Sequence, residues 1–475
     1  MTKGGDNPAY PRVIEALAAD DKQRVDFMKA CLAKLGLIPS QDDQGVPSLS
    51  RLHMSTLEAS EVSDIVSSWS EIVEEVDGQH LIKGENDTFS LEKQSGPWKA
   101  EATSTLSLQK VADALPDFVK DILPTTLTNP SSTASTSQQD AKPDTTGIVD
   151  YDKLIKTLLI HDTSLPDTKQ TPYFNHHAYF ANLSAYKSRH HHDISETFGN
   201  TLIYGEVVTS TSTLLEKNPK LLDKLPTGTT ATATTQVAGR GRGNNVWVSP
   251  PGSLMFSTVL RHPMALSATA PVVFIQYLCA LAIVSGIHNY DRGYSALPIK
   301  LKWPNDIYAL SPSAGKDPNL KDPKNYVKIG GILVNSSYAG GDYTLICGIG
   351  LNLSNSAPTT SINALCTASR LPPMTPEKLL ASILTSFQSL YLRFSHSGFS
   401  PLLDTYYTHW LHSEQIVTLE QEGGVKARIK GITSDWGLLV AEELGWEDRA
   451  TGRKWELQSD SNSFDFFRGL LKRKV

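Results

Sequence analysis

A polar, low-complexity segment in the first third of the chain limits how this protein can fold. Between Thr125 and Thr146 the residues are mainly Ser, Thr, Pro, Gln and Asp, and large apolar side chains are almost absent. Such a segment buries too little apolar surface to offset the entropy of ordering its backbone. We therefore predict a disordered linker over 125–147, which separates an N-terminal α+β region of unassigned function, 1–124, from the rest of the chain.

The composition is typical of a globular protein with two or three domains. The chain has 475 residues, of which 40% are hydrophobic and 20% charged. Its net charge of −6 argues against a nucleic-acid-binding protein with a broad basic surface. No signal segment opens the chain, its longest apolar run is too short for a membrane span, and its cysteines lack metal-site spacing. We therefore predict a cytoplasmic protein with no nucleic-acid partner, no membrane partner and no metal site built from its side chains.

The remainder of the chain is predicted to be a mixed α and β domain, 148–410, followed by a small β module, 411–475. Runs of apolar and β-branched residues predict strands at 202–208, 231–237, 254–260, 299–303, 329–335 and 344–353. Apolar periodicity predicts helices at 60–76, 213–218, 266–287 and 375–396. In the last module, short apolar runs alternate with turn residues, which is typical of a small barrel.

Two arginines alternate with glycines directly after the second of these strands, in Gly239-Arg240-Gly241-Arg242-Gly243. Glycine lets a backbone approach a ligand closely, and the guanidinium group of arginine binds carboxylate and phosphate oxygens. Gln236 precedes the loop and Trp247 closes it. The pattern predicts a mobile loop that binds an anion.

Three further segments downstream and one upstream carry related chemistry. Lys302 ends a strand before a Trp-Pro-Asn-Asp turn that contains Asn305. Lys328 precedes a Gly-Gly strand with Gly331, and Asn352 ends a Gly-Ile-Gly-Leu-Asn strand. Upstream, a run of hydroxyl side chains suits a neutral polar group of a ligand; it consists of Thr209, Ser210, Thr211 and Ser212.

The order and spacing of these motifs resemble the biotin protein ligase (holocarboxylase synthetase) family of eukaryotic, fungal type. The resemblance covers residues 172–460, and the residues before 165 resemble the middle region of large fungal members. Those members begin with a glutamine-amidotransferase-like domain, which we do not identify in this chain. The resemblance implies an α+β fold similar to class II aminoacyl-tRNA synthetases, in which a mixed sheet with helices is followed by an SH3-like barrel.

The resemblance also implies a two-step reaction with ATP and biotin as substrates and Mg²⁺ on the phosphates. Biotin carboxylate attacks ATP to give biotinyl-5′-AMP, and the anhydride then acylates a lysine of a carboxylase biotin domain. Acceptors of the acetyl-CoA carboxylase and pyruvate carboxylase type are implied. The reaction joins two anions, so preorganised positive charge is needed to screen their repulsion.

Family positions assign roles to individual residues. Lys328, Arg240 and Lys302 are implied as catalytic residues, and Lys302, Asn305 and Asn352 as nucleotide-binding residues. Biotin and biotinyl-AMP are implied to contact a larger set: Ser210, Thr211, Ser212, Gln236, Gly239, Arg240, Gly241, Arg242, Trp247, Lys328 and Gly331.

Two alternatives share part of this pattern. A lipoate or octanoate ligase uses the same fold and adenylation, whereas a biotin-responsive regulator adds a DNA-binding region near the start of the chain. The Gly-Arg loop and the C-terminal module favour biotin over lipoate, and no basic recognition helix is evident in the first 120 residues. Since no motif residue lies before 165, we expect this region to be dispensable for adenylation.

Overall fold

A computed structural model of the protein describes most of the chain. The described residues are 26–27, 30, 49–96, 151, 154–190, 197–243, 245–247, 249, 251–315, 318–320, 322–355, 359–458, 462–465 and 470–473. The predicted linker at 125–147 lies outside these ranges.

Within the described ranges, twelve strands form one mixed sheet, in the order β2-β3-β4-β5-β1-β6-β7-β8-β12-β11-β10-β9. Most neighbours are antiparallel; β1 with β5, β4 with β5 and β6 with β7 are parallel. The strands are β1 Leu52–Thr56, β2 Glu74–Val76, β3 Gln79–Lys83, β4 Thr88–Lys93, β5 Lys156–Ile160, β6 Thr201–Val208, β7 Thr230–Gln236, β8 Ser253–Pro263, β9 Ile299–Lys302, β10 Asp306–Leu310, β11 Tyr326–Ala339 and β12 Asp342–Asn352. The six strands predicted between 202 and 353 are therefore present, and β10 is an addition.

Strand β1 joins the two sides of the predicted linker. It pairs antiparallel with β6, with Leu52 opposite Gly205 and Thr56 opposite Thr201, and it pairs parallel with β5. Both edges of β1 are therefore paired, and every residue of the strand is buried. The premise that the N-terminal region stands apart from the catalytic fold is therefore wrong for the described residues. The sequence did not show it because strand pairing between distant segments leaves no local pattern.

The helices divide between two hydrophobic cores. One core contains residues of α2, α5, α6, α7 and α8, and the other contains residues of α1, α3 and α4. Within the described ranges the α-helices are α1 Ala59–Ser67, α2 His176–Arg189, α3 Thr211–Glu216, α4 Pro219–Lys224, α5 Ile275–His288, α6 Ile362–Ala368, α7 Pro376–Ser397 and α8 Leu403–His409. Helix α7 begins as predicted, because the Thr375 side chain accepts the backbone N–H of Lys378 and Pro376 takes the first position.

Two predicted helices are shorter than expected. Helix α1 ends at Ser67, and the Ser67 and Ser68 hydroxyls donate to the carbonyl groups of Ser63 and Ile65. Such local bonds compete with a continuing helix, and the predicted last turn instead forms β2. Helix α5 begins only at Ile275, after Pro271 in an extended conformation and a short 3-10 turn. No helix in the described ranges is both long and apolar enough to cross a membrane.

The C-terminal part forms a second sheet whose described strands run in the order β16-β15-β14-β13-β18-β17. Its strands are β13 Ile416–Leu419, β14 Val425–Ile432, β15 Leu439–Leu444, β16 Ala450–Leu457, β17 Asn462–Asp465 and β18 Leu470–Arg473. Val417, Ile429 and Leu439 of this sheet belong to the same core as α5 and α7. The predicted fold class, a mixed sheet with helices followed by a small β module, is confirmed.

Candidate active site

A cavity of about 480 Å³ lies against strands β7, β9, β11 and β12, and the Gly-Arg loop forms part of its wall. Ligand pockets commonly have volumes of about 300–1,000 Å³. Most of the predicted site residues line it, namely Ser210, Thr211, Ser212, Gln236, Arg240, Gly241, Arg242, Trp247, Lys302, Asn305, Lys328 and Gly331. The further lining residues are Asn245, Val246, Trp303, Pro304, Asp306, Ile332, Leu333, Gly348, Ile349 and Gly350.

Two predicted site residues, Gly239 and Asn352, do not line this cavity. The Asn352 side chain is buried and donates to the Thr360 carbonyl oxygen at 3.2 Å. A Cβ atom at Gly239 would lie 2.4 Å from the Trp247 carbonyl oxygen. Gly239 is thus needed for the loop to close on itself, and Asn352 anchors the end of β12.

The Gly-Arg loop folds back as a short hairpin-like segment after β7. The Trp247 N–H donates to the Gly239 carbonyl at 2.9 Å, and the Gly241 N–H donates to the Asn245 carbonyl at 2.8 Å. Arg240 and Val246 form an antiparallel bridge between these two bonds. The loop therefore presents Arg240 and Arg242 from an ordered turn rather than from an extended segment.

One end of the cavity is a network of hydroxyl and amide groups. Gln236 Oε1 accepts the backbone N–H of Thr211 at 2.8 Å, and Gln236 Nε2 donates to Ser249 Oγ at 3.0 Å. Ser257 Oγ lies 2.8 Å from Thr211 Oγ1 and 2.9 Å from Ser212 Oγ. Hydroxyl groups can donate or accept, so this end suits a ligand that offers both donors and acceptors.

The two glycines of the Gly-Ile-Gly-Leu-Asn strand make room for these side chains. A Cβ atom at Gly348 would lie 2.5 Å from Ser212 Oγ, and one at Gly350 would lie 2.8 Å from Trp247 Nε1. Both distances are shorter than nonbonded atoms tolerate. The glycines of β12 therefore leave the space that the Ser212 and Trp247 side chains occupy, a function that the sequence motif did not reveal.

Trp247 forms an apolar part of the wall between the hydroxyl end and the cationic end. Its ring faces Gly331 and lies 5.6 Å, centroid to Nζ, from Lys328. Its indole Nε1–H is buried and has no hydrogen-bond partner among the described residues. This nitrogen packs against Gly350 of β12, and a buried donor without a partner is energetically unfavourable.

The cationic end is organised around one carboxylate, that of Asp306. Lys328 Nζ lies 2.7 Å from Asp306 Oδ1, and Lys302 Nζ lies 3.7 Å from Asp306 Oδ2. Asp306 follows Asn305 in the motif and starts β10, which places its side chain between the two lysines. The lysines are therefore fixed by a common counterion before any ligand binds.

The two arginines also have partners. Arg242 Nη1 donates to Asn305 Oδ1 at 3.4 Å, and Asn305 is in turn held by Ile332 through its backbone carbonyl and its side-chain amide. Arg240 Nη1 lies 2.6 Å from Glu216 Oε2. Neither Glu216 nor Asp306 was among the predicted site residues; the adjacency of Asp306 to Asn305 was the signal that could have identified it.

The wall behind Lys302 and Trp303 is built by the C-terminal part of the chain. The Trp303 indole donates to the Gly437 carbonyl oxygen at 3.1 Å, and the Tyr277 hydroxyl donates to the same oxygen at 2.6 Å. The Trp303 backbone N–H donates to His412 Nε2 at 3.0 Å. Burial, aided by Lys302, lowers the pKa of His412 to about 3, so this ring is a neutral acceptor.

The charges that line the cavity are mainly positive. The cationic residues are Arg240, Arg242, Lys302 and Lys328, and the carboxylate is that of Asp306. Within the described ranges, no cluster of three His, Cys, Asp or Glu side chains could hold a metal ion. The arrangement is therefore suited to binding anions such as carboxylates and phosphates.

Comparison with known proteins agrees with this chemistry. The family described as "Biotin/lipoate A/B protein ligase family" matches residues 204–352, and "Biotin-protein ligase, N terminal" matches residues 1–56. Biotin–protein ligase 1, chloroplastic, from Arabidopsis thaliana is 33% identical, and the match covers 59% of this chain and 71% of that protein. The chain belongs to the biotin–protein ligase family. The match to residues 1–56 extends this assignment into a region where the motifs indicated no function.

A fungal relative is more similar in sequence but is matched over a smaller share of its length. The Schizosaccharomyces pombe biotin–protein ligase is 43% identical over 285 residues, which cover 58% of this chain and 44% of that protein. The chain thus spans less than half of that relative. A solved biotin protein ligase from Aquifex aeolicus, in complex with biotin and ATP, is 21% identical with a TM-score of 0.39, covering 54% of this chain and 99% of that one. A score this low adds nothing to the assignment.

Proposed function

We propose that this protein attaches biotin to a lysine of an acceptor protein, with ATP as the second substrate. The observation that carries the proposal is the cavity, in which a hydroxyl and amide end is joined by the Trp247 wall to a cationic end. Family membership adds the substrate class, since the relatives are biotin–protein ligases.

In the proposed first step, a carboxylate oxygen of biotin attacks the α-phosphorus of ATP. The bond between that phosphorus and the oxygen bridging to the β-phosphate breaks, and pyrophosphate leaves with the bonding electrons. Lys328, Lys302 and the loop arginines reduce the repulsion between the two anions. Because Asp306 fixes both lysines beforehand, little reorganisation is needed as charge develops.

We propose that Mg²⁺ enters with the ATP phosphates as part of the substrate. Mg²⁺ in such sites is usually held by one or two carboxylates, water and the phosphates themselves. Asp306 is a carboxylate in the cavity wall, so it could complete such a set.

In the proposed second step, the uncharged amine of an acceptor lysine attacks the acyl carbon of biotinyl-5′-AMP. The acyl–phosphate bond breaks, AMP leaves, and the amine loses a proton as the amide forms. The proposed acceptors are carboxylase biotin domains of the acetyl-CoA carboxylase and pyruvate carboxylase type. The cytoplasmic location and the absence of nucleic-acid and membrane partners stay predictions from the sequence.

The hydroxyl and amide end favours biotin over lipoate. The ureido group of biotin has two N–H donors and a carbonyl acceptor, which match Thr211, Ser212 and Gln236. The dithiolane ring of lipoate is apolar, and placing it against these groups would separate them from water without replacing their bonds.

The test is ATP–pyrophosphate exchange with biotin, lipoate or octanoate as the acid, followed by transfer of label to a carboxylase biotin domain. We expect exchange with biotin and transfer to the acceptor lysine. Exchange with lipoate or octanoate but not with biotin would refute the proposal. Exchange with biotin, without transfer but with biotin-dependent DNA binding, would favour the regulator instead.

A further inference from the structure

Glu216 forms an ion pair with a loop arginine from outside the cavity. Its Oε2 atom lies 2.6 Å from Arg240 Nη1. Of these two residues, Arg240 lines the cavity and Glu216 does not. The guanidinium group is planar and carries five N–H bonds in a fixed arrangement. When Nη1 is directed at Glu216, the directions open to the remaining N–H bonds are restricted as well.

The stability of helix α3 does not account for Glu216. It is the last residue of this helix, where a negative charge is unfavourable beside the C-terminal carbonyl groups. Its carboxylate is also held from β11, because Asn335 Nδ2 donates to the same Oε2 at 3.4 Å. The side chains of Arg240 and Glu216 are 46% and 36% exposed, and ion pairs this exposed add little to folding stability.

Helix α3 connects this ion pair to the other end of the cavity. Its first residues, Thr211 and Ser212, belong to the hydroxyl end, and its last residue is Glu216. The backbone N–H of Thr211 is bonded to Gln236, at the end of β7 from which the loop departs. A single short helix therefore fixes the position of the arginine relative to the hydroxyl end.

We propose that Glu216 is a positioning residue that orients the Arg240 guanidinium toward the phosphate of the acyl-adenylate and so determines how long the intermediate is retained. This inference rests on the proposed function. Glu216 does not touch the ligand itself; it acts through Arg240. Its loss therefore affects the phosphate-bearing intermediate and leaves biotin alone unaffected.

The test variant is Glu216→Gln, which removes the charge and keeps the shape. The matched control is Asp291→Asn, because Asp291 forms a similar ion pair of 2.7 Å with Lys378, and neither residue lines the cavity. We expect biotinyl-AMP to dissociate about tenfold faster from Glu216→Gln, while the dissociation constant for biotin stays within about twofold. The control is expected to match the wild type in both measurements.

A second readout uses the empty protein. Trypsin must take the Arg240 side chain into its own pocket, and the bond to Glu216 opposes this. Cleavage after Arg240 should therefore be about threefold faster in Glu216→Gln and unchanged in Asp291→Asn. In an Arg240→Ala background, Glu216→Gln should no longer change dissociation of the intermediate, because the group through which it acts is gone.

The outcomes separate this inference from the proposed function. Unchanged or slower dissociation of biotinyl-AMP from an active Glu216→Gln protein would overturn the role of Glu216 alone. If the wild type makes no biotinyl-AMP from biotin and ATP, the proposed function fails, and the retention role fails with it. If Glu216→Gln does not fold, Asn335→Ala, which removes the second contact of Glu216, must also speed the dissociation of biotinyl-AMP, by a smaller factor.

Discussion

Replacing Lys328 with alanine should slow adenylation strongly while the fold survives. The Lys328 side chain is 39% exposed, and its ammonium group faces the cavity. Removing one preorganised charge of this kind raises a reaction barrier by about 3 kcal/mol, which corresponds to a rate about 100-fold lower. The pair is partly exposed and Asp306 keeps Lys302 as a partner, so the melting temperature should change little.

Because of the surrounding charges, the actual loss of adenylation rate should be at least this large. Without Lys328, the Asp306 carboxylate loses the partner at 2.7 Å and keeps Lys302 at 3.7 Å. Asp306 then adds negative charge where the phosphates are proposed to bind. We therefore expect Lys328→Ala to lose at least this factor in rate.

The assay is biotin-dependent pyrophosphate exchange at saturating biotin and ATP, with circular dichroism and a thermal melt to verify folding. The control is Lys378→Ala, because this lysine also pairs with an aspartate at 2.7 Å but does not line the cavity. It should exchange as the wild type does. A folded Lys328→Ala protein whose rate stays within about threefold of wild type would show that this lysine does not stabilise the transition state.

Four further predictions follow from particular contacts. Arg242→Ala should release free biotinyl-AMP, because this arginine presents its guanidinium to the cavity beside Asn305, and the release should be seen as promiscuous labelling of bystander lysines. An intermediate retained as tightly as in wild type would contradict the role of the loop as its lid. Gly350→Ala should displace Trp247, because the new Cβ would lie 2.8 Å from the indole nitrogen, and the unfolding free energy should fall by about 1–3 kcal/mol. Unchanged stability and unchanged tryptophan fluorescence would contradict this. Deleting residues 1–165 should give unfolded or aggregated protein, because the deletion removes β1 to β5 and exposes β6 together with Ile203, Leu214 and Leu221 of the second core. The control is a chain that starts at residue 49, and a deletion variant that is monomeric, folded and active would refute the reasoning. Acidification should destabilise the protein, because burial lowers the pKa of His176 and His412 to about 3 from the ordinary 6.5, so the unfolded chain binds protons that the folded chain does not. The unfolding free energy should fall as the pH is lowered from about 6.5 to about 3, and His412→Gln should make this dependence shallower in urea titrations.

Local sequence patterns predicted the central part of the fold. The strands between 201 and 352 are long apolar or β-branched runs, and α7 carries its own start signal in Thr375 and Pro376. The sequence predicted the ends of helices and strands less well. The helix predicted to start at 266 begins at Ile275, because the backbone at Pro271 is extended and the helical pattern cannot continue through it.

The sequence by itself also determined most of the candidate site, because each motif holds its residues within a short segment. Arg240, Arg242 and Trp247 belong to one loop, and Lys302, Asn305 and Asp306 to one turn. Residue type and spacing were enough to predict an anion site there, although Asp306 was not named among its residues.

Only the tertiary structure decided which residues from different segments meet. The pairing of β1 with β6, the ion pair of Glu216 with Arg240 and the contact of Gly350 with Trp247 each join positions far apart in the chain. Such contacts arise from how the sheet is assembled and how its faces are packed, and they impose no period on the local sequence. For this reason the sequence indicated the chemistry of the site, whereas the fold determined how its charged groups are held.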